Sequence, residues 1–309
     1  MESSSDEQRA LAERFEAERA QLRSVAYRML GSLAEAEDAV QEAWLRLTRS
    51  DPTGVRNLAA WLTTVVGRVC LDQLRARTAR REEELPEPDG SVRLPDPVVS
   101  GSAALDPEHE VLVADSVGIA LMVVLETLSP AERVAFVLHD MFEVPFEEIA
   151  PVLDRTPAAT RQLASRARRR VQGATPAADT DRARKREVVA AFLTAARSGD
   201  FDALLAVLDP GVLARSDGGA LVPSVLRRGA AEVAGQAIAF ARFAADARPV
   251  LVNGSPGVLA FADGRVLSVM SFTIHDGRIT RLDILTDPVR LAALGLTGGN
   301  SEDPVGPRR

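Results

Sequence analysis

Residues 128–171 read LSPAERVAFVLHDMFEVPFEEIAPVLDRTPAATRQLASRARRRV, and this stretch decides what the rest of the chain can be. Ser129 is placed to cap a helix, with Pro130 at its first position and Glu132 three residues on as the reciprocal partner of a capping box. The apolar positions Val134, Phe136, Val137 and Leu138 end at His139, and a short second helix over 146–153 turns Ile149, Val152 and Leu153 inward. Asp154, Arg155 and Thr156 then form a tight turn. Thr156 and Pro157 repeat the capping signal for a third helix, in which Leu163, Ala167 and Val171 recur every four residues. Its other face carries Arg161, Gln162, Ser165, Arg166, Arg168 and Arg169. Short helix, three-residue turn and a helix with this outer face predict a helix-turn-helix whose last helix enters the major groove. An arginine run at a helix end is by itself most simply a solvated face complementing the helix dipole. The two caps and the turn beside it favour DNA.

A chain of 309 residues suggests two or three domains, and 46% hydrophobic with 26% charged residues excludes wholesale disorder. The net charge of -7 argues against indiscriminate coating of nucleic acid. Charge is local, however: Arg155 to Arg170 holds six arginines and no acid, which confines DNA contact to particular faces. The single cysteine, Cys70, can form neither an internal disulfide nor a cysteine zinc site, and a reducing cytoplasm is the expected compartment. No secretory signal and no apolar run of membrane-spanning length is seen, so a soluble chain without membrane contact is expected.

Upstream, residues 15–49 predict two helices broken near Gly31 and Ser32, with Leu22, Val25, Ala26, Met29 and Leu30 buried on the first and Val40, Ala43, Trp44 and Leu47 on the second. Glu35, Glu37, Asp38 and Glu42 line the second helix's outer side, where acids also simply complement the dipole. After the turn at residues 51–54, residues 58–81 predict a helix of roughly 36 Å. Its core is Trp61, Leu62, Val65, Val69, Leu71 and Leu74, and its second half is basic, with Arg68, Arg75, Arg77, Arg80 and Arg81 against Asp72. A Pro-, Gly- and acid-rich linker follows to Pro107, then a helix over 108–127 with Val111, Leu112, Val117, Ile119 and Leu121 as core. From Arg182 the pattern changes to two helices, 182–198 and 201–208. Strands follow at 211–216, 249–253, 258–262, 265–275 and 278–285, with one helix over 230–245. Asp263-Gly264 and Asp276-Gly277 are two-residue hairpin turns. The tail after Thr297 is expected to be disordered.

YRMLGSLAEAEDAVQEAWLRL (27–47), WLTTVVGRVCLDQLRAR (61–77), RVAFVLHDMFEVPFEEIA (133–150) and TPAATRQLASRARR (156–169) closely resemble regions 2 and 4 of bacterial extracytoplasmic-function sigma factors. The remainder resembles the SnoaL-like, NTF2-like extension of the SigJ-type subgroup. The shared signatures are Leu85-Pro86-Glu87-Pro88, Asp217-Gly218-Gly219 and the DPxRL of Asp287, Pro288 and Leu291. The chain departs from the subgroup in having Glu84 before the first motif, where Trp is frequent, and Ala220-Leu221 after the second, where Gly-Lys is frequent. The resemblance implies a multidomain fold: two all-α sigma domains followed by an α+β cone. The expected boundaries are region 2 at 8–82, a linker at 83–107, region 4 at 108–173, a SnoaL-like regulatory domain at 181–297 and the tail at 298–309.

It also implies partners and roles. Core RNA polymerase would be held through the β′ clamp helices and β flap, with Asp38, Gln41 and Glu42 on the clamp. Asn57, Trp61, Arg68, Asp72, Arg75 and Arg77 would serve the -10 element, holding a flipped base and nearby phosphates. The outer face of the last helix would read the -35 element, Arg161, Gln162 and Ser165 at base edges and Arg166 and Arg169 at phosphates. The cone's three signatures would make regulatory contacts in cis, with room for an unknown small ligand in its pocket, and the free chain is expected to be monomeric. No cofactor or metal is expected. Cone enzymes need an acid or His base and an opposing donor; the only tyrosine is Tyr27, His275 sits at a turn, and Asp217, Ser271 and Asp283 remain, the last read as a surface residue, so no catalytic residue is assigned. A helix-turn-helix repressor with a ligand-sensing C-terminal domain is the alternative, distinguished by binding DNA without polymerase.

Overall fold

A computed structural model describes residues 2–50, 57–83, 93–100, 118–174, 181–219, 223–241 and 246–296. The chain forms two compact units, Met1–Pro88 with Val124–Ala174, and Asp89–Val123 with Thr175–Arg309.

The first unit is helical. α1 (Glu2–Leu30) packs on α2 (Leu33–Arg49) and α3 (Leu58–Glu83). The break between α1 and α2 is where expected: Gly31 takes a left-handed φ of 71° and Ser32 caps α2, its side chain accepting from the Glu35 amide. Trp61 and Val65 of α3 are only partly covered, unlike Leu62, Val66, Val69, Cys70 and Leu71, which carry the buried stripe. After α4 (Ile119–Glu126), α5 (Pro130–Phe136) starts with the full Ser129–Glu132 capping box and runs on into a π-helical turn over Val137–Met141. α6 (Phe146–Leu153) ends at Asp154, at φ 52°, and α7 (Pro157–Ala174) follows with Thr156 Oγ1 accepting from the Ala159 amide at 3.2 Å. The stripe that α7 buries is Thr160, Ala164 and Ala167, and Leu163 and Val171 are half-covered. Small residues let α7 approach α5 and α6 closely, so the seam follows size where the expectation followed hydrophobicity. Of the core expected for the helix before α5, Val111, Leu112 and Val117 lie outside the described residues, Ile119 is buried and Leu121 is half-buried.

Cys70 is fully buried in α3, and burial pushes its thiol well above the usual range, outweighing the attraction of nearby Arg133. Because the thiolate is the nucleophile, native protein at pH 8 should resist iodoacetamide and react fully once unfolded in urea. Mass spectrometry of the two samples checks this, and labelling of the native chain contradicts it.

The second unit is a seven-stranded sheet with helices packed against it, the α+β architecture expected. α8 (Arg182–Ser198) and α9 (Phe201–Val207) precede β2 (Leu208–Asp217) and β3 (Val225–Arg228). α10 (Ala230–Ala241), β4 (Asp246–Val252), β5 (Ser255–Ala262), β6 (Arg265–His275), β7 (Arg278–Leu285) and α11 (Pro288–Ala293) complete it. With β1 (Val99–Ser100), the strand order is β1-β4-β5-β6-β7-β2-β3. Three Asx-Gly hairpin turns have positive φ at both residues, at Asn253-Gly254, Asp263-Gly264 and Asp276-Gly277. The first was not anticipated. Neither were the short edge strands β1 and β3, which have too few residues for a period to show. Alternation along the strands divides two cores. Phe192, Leu204, Ala214, Met270, Phe272 and Leu282 pack on the helical side, and Leu94, Ile119, Val252, Phe261, Leu285 and Leu291 on the other.

Candidate functional site

On α7, Arg161, Gln162, Ser165, Arg166, Arg168 and Arg169 are all exposed, which the cap at Thr156 and the buried Thr160-Ala164-Ala167 seam together enforce. They are not equivalent. The Arg168 Nε donates to Asp140 at 2.7 Å, Arg170 Nη1 donates to the buried Glu132 at 2.9 Å, and Arg166 lies 3.8 Å from that same carboxylate. These three tie α7 to α5 and to the π-helical turn that continues it. The Arg161 guanidinium lies over the Phe146 ring at 5.1 Å, which extends it across the turn. Gln162, Ser165 and Arg169 face solvent. The part of the outer face not drawn onto Glu132 or Asp140 is therefore Arg161, Gln162, Ser165 and Arg169.

On α3, Asn57 is exposed and caps the helix, its Oδ1 accepting from the Ala60 amide at 3.2 Å. Residues 51–56, with the turn expected at 51–54, lie outside the described residues. Asp72 and Arg75 are exposed and 3.9 Å apart. Arg77 is turned inward: its Nη1 donates to the Leu30 carbonyl at 2.9 Å and it pairs with Glu35, so it ties α3 to the end of α1. Arg68 is exposed but spends a donor on the Pro151 carbonyl of α6, at 3.0 Å. Beside it Gly67 abuts the same surface, where a Cβ would meet Leu138 and Val152 at 3.3 and 3.5 Å. The two helical halves of the first unit thus pack face to face. Arg133 of α5 completes that seam: 1% exposed, it pairs with Glu126 at 2.8 Å and donates to the Arg28 carbonyl.

On α2, Asp38 and Gln41 are exposed. Glu42 is half-exposed and pairs with Arg46 at 2.9 Å, and Glu37 is taken up by Arg19.

In the second unit, two of the three sequence signatures meet. Asp217 ends β2 and its carbonyl accepts from Thr286 and Asp287; Asp287 caps α11 through the Val289 and Arg290 amides. Gly219, at φ 66°, lies against Asp287, and a side chain there would run into that carboxylate. Arg290, which fills the fourth position of DPxRL, is the residue the sequence reading left out. Its Nη1 donates to Asp217 at 2.7 Å, its Nε to Asp96 at 2.8 Å and its Nη2 to the Leu94 carbonyl at 2.6 Å. Asp217 also accepts from the Leu94 amide at 2.7 Å, and Asn253 Oδ1 from the Val98 amide at 3.0 Å. The clamp thus holds Leu94-Pro95-Asp96-Pro97, in which both prolines and Leu94 are buried. Leu85-Pro86-Glu87-Pro88 lies outside the described residues. The signal for the docked segment was in the sequence, since Leu94–Pro97 repeats the Leu-Pro-acid-Pro pattern nine residues on. The expected linker at 83–107 is accordingly part of the second unit over residues 93–100.

Asp283, expected at the surface, is 2% exposed. Its partner on the parallel neighbour strand is Arg215, Nε to Oδ1 3.5 Å. Burial pushes the carboxyl up and the guanidinium down, each opposed by the other's charge. Ser271 is buried beside them in register, and His275 sits at its turn 3.4 Å from Asp276. No described helix is long and apolar enough to cross a membrane.

The profile of Sigma-70 region 2 matches residues 14–80, and that of Sigma-70, region 4 matches residues 119–171. The chain is 42% identical to the ECF RNA polymerase sigma factor SigJ of Mycobacterium tuberculosis, over 89% of this chain and 91% of that one. It is 37% identical to the probable ECF RNA polymerase sigma factor SigI of the same species, over 91% and 94%. The crystal structure of M. tuberculosis SigJ superposes with a TM-score of 0.73 at 38% identity, covering 91% of this chain and 98% of that one.

Proposed function

The chain belongs to the extracytoplasmic-function (ECF) RNA polymerase sigma factors, and from that premise we propose how its residues divide the work. Asp38, Gln41 and Glu42 dock on basic β′ clamp helices of core polymerase, with region 4 reaching the β flap, in the cytoplasm and from a monomeric free state. Asn57, Trp61, Arg68, Asp72 and Arg75 meet the unpaired -10 strand. Arg77, spent on Leu30 and Glu35, supports them from inside. Arg161, Gln162 and Ser165 read -35 base edges, and Arg169 holds phosphate. The single observation that carries this reading is the exposed outer face of α7, fixed at one end by Thr156 and along its length by ion pairs to Glu132 and Asp140.

The face-to-face packing of α3 on α6 supports a resting state. The two promoter elements lie on the order of 85 Å apart at about 3.4 Å per base pair, so the Arg68–Pro151 contact has to break when the chain binds a promoter. The cone biases that step in cis through residues 93–100, which run between the two sigma regions. It does so by contact alone: of its buried acids, Asp217 is held by Arg290, Asp283 is paired with Arg215 and Asp287 caps α11.

Arg161→Ala should cut discrimination against a mismatched -35 base by about 1–3 kcal/mol, and Arg169→Ala should weaken matched and mismatched duplex alike while flattening the salt dependence. Titrating reconstituted holoenzyme on both duplexes at two salt concentrations checks this. Identical behaviour of the two variants overturns the assignment. Asp38→Arg should abolish co-purification with core polymerase, and retention would remove the docking face from the proposal.

A further inference from the structure

Between the sheet and helices α8 and α10 lies a cavity of about 170 Å³. Its walls are apolar, with Phe192, Val233, Phe240, Met270, Leu282 and Ile284 prominent. An apolar cavity of about 150 Å³ stays dry and takes up benzene, so this one suits a guest of one ring's bulk.

The polar groups along it narrow the guest further. Ser216 and Thr286 bring their hydroxyls to 3.2 Å of each other at the end of β2; Thr286 donates its own to the Asp217 carbonyl at 3.1 Å, so Ser216 is the hydroxyl that can turn to a guest. Arg227 stands opposite Ala214 in the β2–β3 ladder, and both residues line the cavity. Among the described residues its ion-pair partner is Glu232, 3.9 Å away and 58% exposed, which leaves the guanidinium lightly compensated. Arg197 also lines the cavity, its Nη2 donating to the Ala247 carbonyl at 2.6 Å. Among the described lining residues there is no carboxylate. Arg215 lines the cavity as well, paired at 3.5 Å with Asp283, which like Glu232 is not a lining residue. Guanidinium and hydroxyl donors at the wall with their acids outside it, in apolar surroundings that lower the local dielectric, select an anion and reject a cation.

We propose that this cavity is a binding site for an apolar monocarboxylate of about one ring's size, its carboxylate held by Arg227 with Ser216. A bound guest bridges α10 and the β2–β3 edge. The site stands independently of the regulatory role given to the cone, because binding is read on the chain without polymerase.

Calorimetric titration of the full chain with benzoate, benzamide and benzylamine tests it. Benzoate should bind saturably at one site per chain, at least tenfold more tightly than benzamide, and benzylamine should give no heat. Arg227→Gln should bring benzoate down to the level of benzamide, with the unfolding temperature of the variant measured alongside to show that the cone is intact. Ala237→Leu, which fills the cavity, should reduce both. Absence of saturable benzoate binding overturns the proposal, as does benzylamine binding equal to benzoate. A folded Arg227→Gln that keeps the wild-type preference for the acid overturns it too.

Discussion

Replacing Arg290 with alanine should release residues 93–100 from the cone and cost about 3–5 kcal/mol of its stability. The side chain is 13% exposed and serves two carboxylates and a carbonyl at once. Without it Asp96 loses the guanidinium that faces its carboxylate, and among the described residues the Asp217 carboxylate is left with the Leu94 and Gly219 amides. Truncating one member of a buried pair is costly because the other charge stays behind in a poor solvent. Arg290→Lys keeps the charge but cannot reproduce the fork, and should fall between the two. Urea unfolding followed by circular dichroism reads the energy. Limited trypsinolysis reads the release, since Arg93 immediately precedes the docked Leu94: cleavage there should be at least tenfold faster in Arg290→Ala. Wild-type cleavage kinetics in the variant would show that the clamp does not hold the segment.

The second large effect is expected at Arg133. The last carbonyls of α1 have no partner within the helix, and the structure supplies them from elsewhere: the Gly31 amide for Tyr27, Arg77 for Leu30 and Arg133 for Arg28. Arg133 belongs to region 4, so a helix end in region 2 is satisfied, and its dipole complemented, across the seam. Arg133→Met, which fills similar space without charge, should leave the Arg28 carbonyl and Glu126 without it and destabilise the first unit by roughly 3 kcal/mol. Trp44 and Trp61 both lie in that unit and report its unfolding. On the proposal that the face-to-face packing is a resting state, this contact is released in holoenzyme, and holoenzyme formed with this variant should transcribe at least as well as wild type. Stability within 1 kcal/mol of wild type, or transcription lost in step with folding, would contradict that.

The helix-turn-helix was legible because its determinants are local: Ser129, Pro130, Glu132, Thr156 and Pro157 set helix starts whatever surrounds them. The hairpins at Asp263 and Asp276 were legible for the same reason. What stayed hidden depends on distant partners. No local pattern distinguishes Arg77, which turns inward to Leu30, from Arg75, which does not. Asp283 looks like any strand acid until Arg215 arrives beside it from the neighbouring strand. Arg290 was overlooked inside a motif already noticed, and Leu94–Pro97 went unremarked although it repeats the Leu-Pro-acid-Pro pattern of residues 85–88. Of the candidate contacts, those on α7 follow from the local caps, while the division between free and paired arginines needed Asp140 and Glu132 to be placed.

Run-off transcription on a promoter library with purified bacterial core polymerase tests the central claim most directly. Core polymerase alone, the full chain alone and the two together would be compared, with DNase protection of the selected promoter read in parallel. The account expects transcripts and protection only when chain and core polymerase are combined, and loss of both with Asp38→Arg. Specific protection by the chain without polymerase, with no dependent transcript, would contradict it and point to a repressor.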